Sequence, residues 1–143
     1  MAIREPLNPI ILVGFAPVAV CFWLIVTSSI AKESGWKLMA SRYAAERRPH
    51  GVRYFWRSMR LTAFVGYRRC INVTLSTAGV YLVPSLLFRF RHTPLLVPWD
   101  QVGGVEHRHY VCVLPIRTDS GIWKLFLRCS VADWIQRHAP QKA

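Results

Sequence analysis

The sequence predicts a membrane-anchored, mainly β protein: one N-terminal transmembrane helix, a short amphipathic helix, then an antiparallel meander of about six or seven strands closed by a short C-terminal helix. Three observations predict it. Residues 9–30 are almost wholly apolar, and no charged side chain lies between Glu5 and Lys32. From Val52 onward the texture changes to short runs that alternate apolar and polar residues, with turn residues between them. The stretch "SVADWIQRH" near the C-terminus then returns to helical spacing.

The span comes first. The twenty-two residues of 9–30 reach roughly 33 Å as a helix, enough for a hydrocarbon core of about 30 Å. A secretory signal has an apolar region of about 7–15 residues, shorter than this one. Ser29, Ile30 and Ala31 could pass for a cleavage site, but Glu5 offsets Arg4 and leaves the basic start of a signal nearly absent. A retained helix is therefore expected. Gly14 and Pro17 fall inside it, where membrane helices tolerate them. Gly14, Ala16 and Ala19 offer small side chains at which a second helix could approach closely.

Charge sets the expected orientation. Residues 32–69 hold ten Lys or Arg against Glu33 and Glu46. The positive-inside rule then places segment 1–8 outside and the chain after the span in the cytoplasm, at the inner (cytoplasmic) membrane. The net charge of +12 implies an anionic partner, and for a tethered domain the nearest is the anionic inner leaflet. Nucleic acid is the weaker inference. Of the four cysteines, Cys21 lies in the span and Cys70, Cys112 and Cys129 follow, with no C-x-x-C pair. Reduced, buried thiols are the expectation in such a compartment.

Residues 31–50 contain Trp36, Met39, Ala40 and Tyr43 at helical spacing behind Ser34, a candidate N-cap; Pro49 and Gly51 end the pattern. This reads as an amphipathic helix of about three turns. Its apolar stripe either packs on the domain that follows or lies in the membrane interface. In the second case Trp36 and Tyr43 sit at headgroup depth, with Lys37, Arg42, Arg47 and Arg48 on phosphates.

Residues 51–139 form the β domain, leaving 140–143 as a tail. "CINVTLS" alternates Ile71, Val73 and Leu75 against Cys70, Asn72 and Thr74, and after Thr77-Ala78-Gly79 "VYLVP" returns as its hairpin partner. "PLLVPWDQV" reads as a strand with Pro98 at an edge or bulge. Thr118-Asp119-Ser120-Gly121 joins "HYVCVLPIR" to "IWKLFLRC". Ser130 is the expected cap of the last helix, whose apolar face would be Val131, Trp134 and Ile135. Trp99, Trp123 and Trp134 are expected to be largely buried.

A meander closed by one C-terminal helix is the arrangement of the pleckstrin-homology-like (PH-like) barrel. The strand "LLVPWDQV" resembles the apolar-Pro-Trp-acidic strand of bacterial membrane-associated PH-like domains. Together with "SGWKLMASRYAAERRPHG" it resembles a group of small single-span bacterial membrane proteins with a cytoplasmic PH-like domain. The resemblance covers about residues 34–138. It implies a binding module, with no catalytic residues to carry over.

The residues agree. "EHRHY" is the tempting metal site, but on one strand His107 and His109 share a face and Cys112 points the other way. No nucleophile elbow, Walker loop or zinc-helix motif is present, and seven acids in the chain leave little for paired-carboxylate chemistry. No enzyme activity, cofactor, metal or small-molecule substrate is expected. The more informative stretch is "PSLLFRFRHTP", in which Leu86, Leu87, Phe88 and Phe90 alternate with Arg89 and Arg91 between prolines. On a strand the phenylalanines would share one face and the arginines the other. Such a segment either completes the core or docks on lipid or a neighbouring subunit. The expected function is an accessory, scaffolding subunit of a larger membrane complex; respiratory and photosynthetic assemblies are settings where such a small basic subunit would fit, and the sequence selects neither. A free-standing anionic-lipid-binding module is the alternative. A membrane-tethered nucleic-acid binder is another, using basic residues of 47–69 with Tyr54, Phe55 and Trp56.

Overall fold

The computed structural model describes residues 9–139; the expected outer segment 1–8 and tail 140–143 lie outside them. Helix α1 runs Pro9–Glu33, with Pro17 inside it, and only Thr27 and Ala31 of its residues are buried. It is long and apolar enough to cross a membrane, and it lies near the N-terminus.

Two residues, Ser34 and Gly35, join α1 to α2 (Trp36–Tyr43). Gly35 takes the cap position at φ 75, a left-handed conformation that glycine adopts without steric cost. Ser34 supports the cap from one residue earlier than expected, accepting the Trp36 N–H at 3.3 Å. The helix has eight residues, two turns rather than three. It stops because Ala44 extends and bridges Leu95, and the Ala45 N–H donates to the Pro94 carbonyl at 3.0 Å.

Seven strands follow: β1 (Val52–Arg60), β2 (Gly66–Leu75), β3 (Gly79–Pro84), β4 (Leu95–Pro98), β5 (Glu106–Arg108), β6 (Val111–Thr118) and β7 (Gly121–Arg128). They form one antiparallel sheet in the order β4-β3-β2-β1-β7-β6-β5, curled into a half-barrel. Ile71, Val73 and Leu75 of β2 are buried in the core as read, but Cys70 and Thr74 on the other face are buried as well, and only Asn72 keeps the expected partial exposure. The expected strand through residues 94–102 is cut short. Pro98 brings no N–H to the ladder, and the chain makes a 3-10 turn at Trp99–Gln101. The buried Trp99 then donates its indole N–H to the Ser76 carbonyl at 2.9 Å. Gly79 faces β4 so closely that a Cβ would overlap the Val97 carbonyl oxygen.

The concave side is filled from two directions. Trp36 of α2 is fully buried and stacks on Trp123 of β7, centroids 5.5 Å apart, while its indole N–H donates to the Thr93 carbonyl at 2.8 Å. Helix α3 (Cys129–His138) adds Val131, Ala132 and Ile135. It starts one residue before the expected cap Ser130. Trp134, expected to be largely buried, is only partly so: it packs against the rim of the core and stacks on the exposed ring of His138 at 4.5 Å.

Two irregularities in β1 and β2 had no sequence signal. Trp56 and Arg69 adopt φ 56 and φ 52, and the β1–β2 register shifts beside them. Side chains of the facing strand satisfy both: Asn72 Oδ1 accepts the Trp56 N–H at 3.4 Å and Ser58 Oγ accepts the Arg69 N–H at 3.0 Å.

Candidate docking surface

The segment between β3 and β4 is a compact loop, not a strand. Pro84 ends β3, the Ser85 N–H returns to the Cys70 carbonyl at 2.7 Å, and Leu86–Phe88 make one 3-10 turn. Arg91 sits at φ 58, and His92 fastens the far end. The His92 ring is buried; its Nδ1–H donates to the Phe90 carbonyl at 2.9 Å, and its Nε2 accepts the Tyr67 hydroxyl. Burial drives the His92 pKa down, against the pull of the Phe90 carbonyl, so the ring stays neutral where an ordinary histidine begins to protonate. Burial likewise drives the Tyr67 pKa up. Sequence spacing gave no reason to single out His92.

This turn separates the two phenylalanines that a strand would have paired. Phe88 is partly buried between Trp23 of α1 (5.1 Å) and Tyr67 (6.2 Å). Phe90 faces outward, and Leu86 and Leu87 are 80% and 72% exposed. The loop leans directly on α1, where the Trp23 indole N–H donates to the Leu87 carbonyl at 2.9 Å. Beside this contact, Leu24, Ile25, Ser28, Ser29, Lys32, Phe90 and Arg91 line a groove of about 420 Å³. Five of these seven residues belong to α1, and the lining includes two cations, Lys32 and Arg91.

The span residues divide. At about 100° per residue, Ala16, Ala19 and Trp23 fall within about 60° of one another, whereas Gly14 lies about 200° from Ala16. The expected Gly14–Ala16–Ala19 face is therefore not one face. Ala16 and Ala19 look the same way as the Trp23–loop contact.

Helix α2 also divides. Trp36 is core, which corrects its reading as a headgroup residue, and Tyr43 is partly buried against the same core. Lys37, Arg42, Arg47 and Arg48 are exposed. Arg42 is paired with Asp119 at 3.0 Å. Arg48 joins Arg53 and Arg89 around a second concavity of about 310 Å³, which Glu46, Asn72, Thr74 and Tyr81 also line. Arg48 and Arg89, forty-one positions apart, thus share one basic groove. The Phe55–Trp56 pair lies elsewhere, exposed beside Arg57, Arg69 and Arg128.

The histidine–cysteine stretch overturns the one-strand argument. The chain reverses at His109 (φ 41) and Tyr110, so residues 106–113 form a hairpin in which His107 pairs across from Cys112. Cross-strand partners share a face, and Cys112 Sγ lies 3.3 Å from His107 Nδ1. Cys129, the first residue of α3, comes in beside them: one ligand atom from each of the three residues lies within 4.8 Å of the others. His109, expected to accompany His107, is not part of the group. Burial first, then the neighbouring Cys129, push the Cys112 thiol up to about 11.

Comparison with family models, with curated proteins and with solved structures finds no match.

Proposed function

We propose that this chain is a non-enzymatic, membrane-anchored scaffolding protein, an accessory subunit that docks on a larger membrane assembly at the inner leaflet. α1 is its single span, and the PH-like half-barrel lies on the cytoplasmic side. The contact between Trp23 and the 86–91 loop carries this reading. Trp23 stands nine residues before Lys32, roughly 13 Å along the helix axis. A loop that touches Trp23 reaches the depth of the apolar span, so its exposed Leu86 and Leu87 meet acyl chains or an adjacent subunit instead of water. Arg89, Arg91 and Lys32 then fall at the phosphate level, where cations are favoured.

Ten basic residues just after the span support the N-out orientation. Anchoring makes any second contact effectively intramolecular, at effective concentrations around mM, so a small loop suffices. Leu86, Leu87 and Phe90 changed to Ser, with Arg89 and Arg91 changed to Gln, should release co-purifying subunits in mild detergent while the chain stays in the membrane. Phe88 is left in place because it packs on Trp23 and Tyr67. Photo-crosslinking from position 87 in native membranes should give adducts to lipid or to a neighbouring span; adducts to soluble proteins alone would sink the reading.

The groove of Arg48, Arg53 and Arg89 favours a second reading, a free-standing module for anionic lipid headgroups. Vesicles with and without anionic lipid separate the two. Arg48→Gln with Arg53→Gln should weaken vesicle pelleting in the second reading and leave subunit co-purification intact in the first.

A further inference from the structure

We propose that His107, Cys112 and Cys129 form a zinc site that staples the β5–β6 hairpin to the start of α3. Three separate elements bring one ligand each. His107 comes from β5, Cys112 from its cross-strand position on β6, and Cys129 from the first residue of α3. Their ligand atoms already lie within 4.8 Å of one another, with the His107–Cys112 pair at 3.3 Å. Around tetrahedral zinc such atoms stand roughly 3.5–4 Å apart, so the His107–Cys112 pair would open slightly and the contacts to Cys129 would close by roughly 1 Å. Thiolate and imidazole are the donor set that zinc prefers, and a reducing compartment keeps both thiols available.

The surroundings suit a dication. Cys129 opens a ten-residue helix, whose unsatisfied N–H groups favour an anionic ligand. Asp133 lies one turn further along the same helix. The site also has structural work to do. β5 is three residues long and exposed at every one, so apolar burial does not hold that edge. A metal that joins three elements supplies the missing fixation, as it does in small domains with too little core. Of the proposed function this inference uses only the cytoplasmic, reducing side of the membrane; neither the loop nor α1 takes part.

Cobalt is the probe, used on the full chain in mild detergent with a thiol-free reductant after chelator treatment. One equivalent of Co²⁺ should give tetrahedral d–d bands and a thiolate-to-cobalt charge-transfer band, and one equivalent of Zn²⁺ should abolish both. Cys112→Ser with Cys129→Ser should lose the signal, and His107→Ala should weaken binding by at least about tenfold. Cys21→Ser and Cys70→Ala should leave it unchanged. A folded wild-type chain without tetrahedral bands would overturn the proposal whatever the variants do. So would bands that persist in the double serine variant, or a Cys112–Cys129 disulfide that survives the reductant and leaves no cobalt bound.

Discussion

The two edges of the sheet are built on different principles. At the β4 edge, Trp36, Tyr67, His92 and Phe88 interlock by ring contacts of 5.4–6.2 Å, and α1 presses Trp23 onto the same cluster. Every polar atom of the buried His92 ring has a partner there. At the β5 edge, the terminal strand is short and exposed, and the chain returns to the body of the fold through a bridge between Val102 and Ile116. Aromatic burial holds the first edge. Ladder hydrogen bonds hold the second, with the His–Cys–Cys cluster beside them. One sheet can therefore be fixed by buried rings where it meets α1 and held by backbone pairing at the other end.

The largest test of that contrast removes the centre of the first edge. Trp36→Ala should cost about 3–5 kcal/mol in chemical denaturation of the full chain in micelles. Trp134→Ala, at the β5 side and only partly buried, should cost about 1 kcal/mol. Equal costs would erase the distinction. His92→Phe comes next, since it leaves the buried Tyr67 hydroxyl without its acceptor, for about 1–3 kcal/mol. It also removes a pH dependence. The folded pKa of His92 lies below its ordinary 6.5, so the unfolded chain binds the proton more readily. The stabilisation is present above pH 6.5 and is lost as pH falls through the lowered folded value. Denaturation midpoints should fall with acidification in the wild type, and His92→Phe should flatten that slope. A slope unchanged by the substitution would remove His92 from the account.

Smaller effects sharpen the picture. Leu86→Ser with Leu87→Ser should shift fold stability by no more than about 0.5 kcal/mol, because both side chains point away from the core. A larger loss would mean that the loop is part of the anchored edge and not a surface laid upon it. Arg42→Ala should cost less than about 1 kcal/mol, since its 3.0 Å pair with Asp119 is roughly half exposed on both sides.

Legibility in the sequence followed the same divide. The core face of β2, Ile71-Val73-Leu75, could be read from its apolar alternation, although Cys70 and Thr74 opposite are buried too. The Thr118–Gly121 turn could be read because its residues carry turn chemistry. The hairpin at His109-Tyr110 could not: it holds neither Gly, Pro, Asn nor Asp, and its left-handed residue is a histidine. That one hidden reversal turned a cross-strand pair, His107 and Cys112, into an apparent mismatch of faces. The bulges at Trp56 and Arg69 were hidden for a similar reason, since their partners Asn72 and Ser58 act from another strand. The docking loop was visible as composition. Its division into a packed Phe88 and outward Leu86, Leu87 and Phe90 depends on Trp23, sixty-four positions from Leu87 in the chain, which no local pattern reports.

The joint at Ser34 and Gly35 has a mechanical consequence. Ser34 is buried, α2 begins at once, and the last turns of α1 rest on the domain through Thr27 and Ala31. The half-barrel therefore does not swing on a leash. If α1 rotates about its own axis, the sheet turns with it like a vane on a shaft. With α1 as the proposed span, whatever grips it within the lipid also sets the compass bearing of the basic groove.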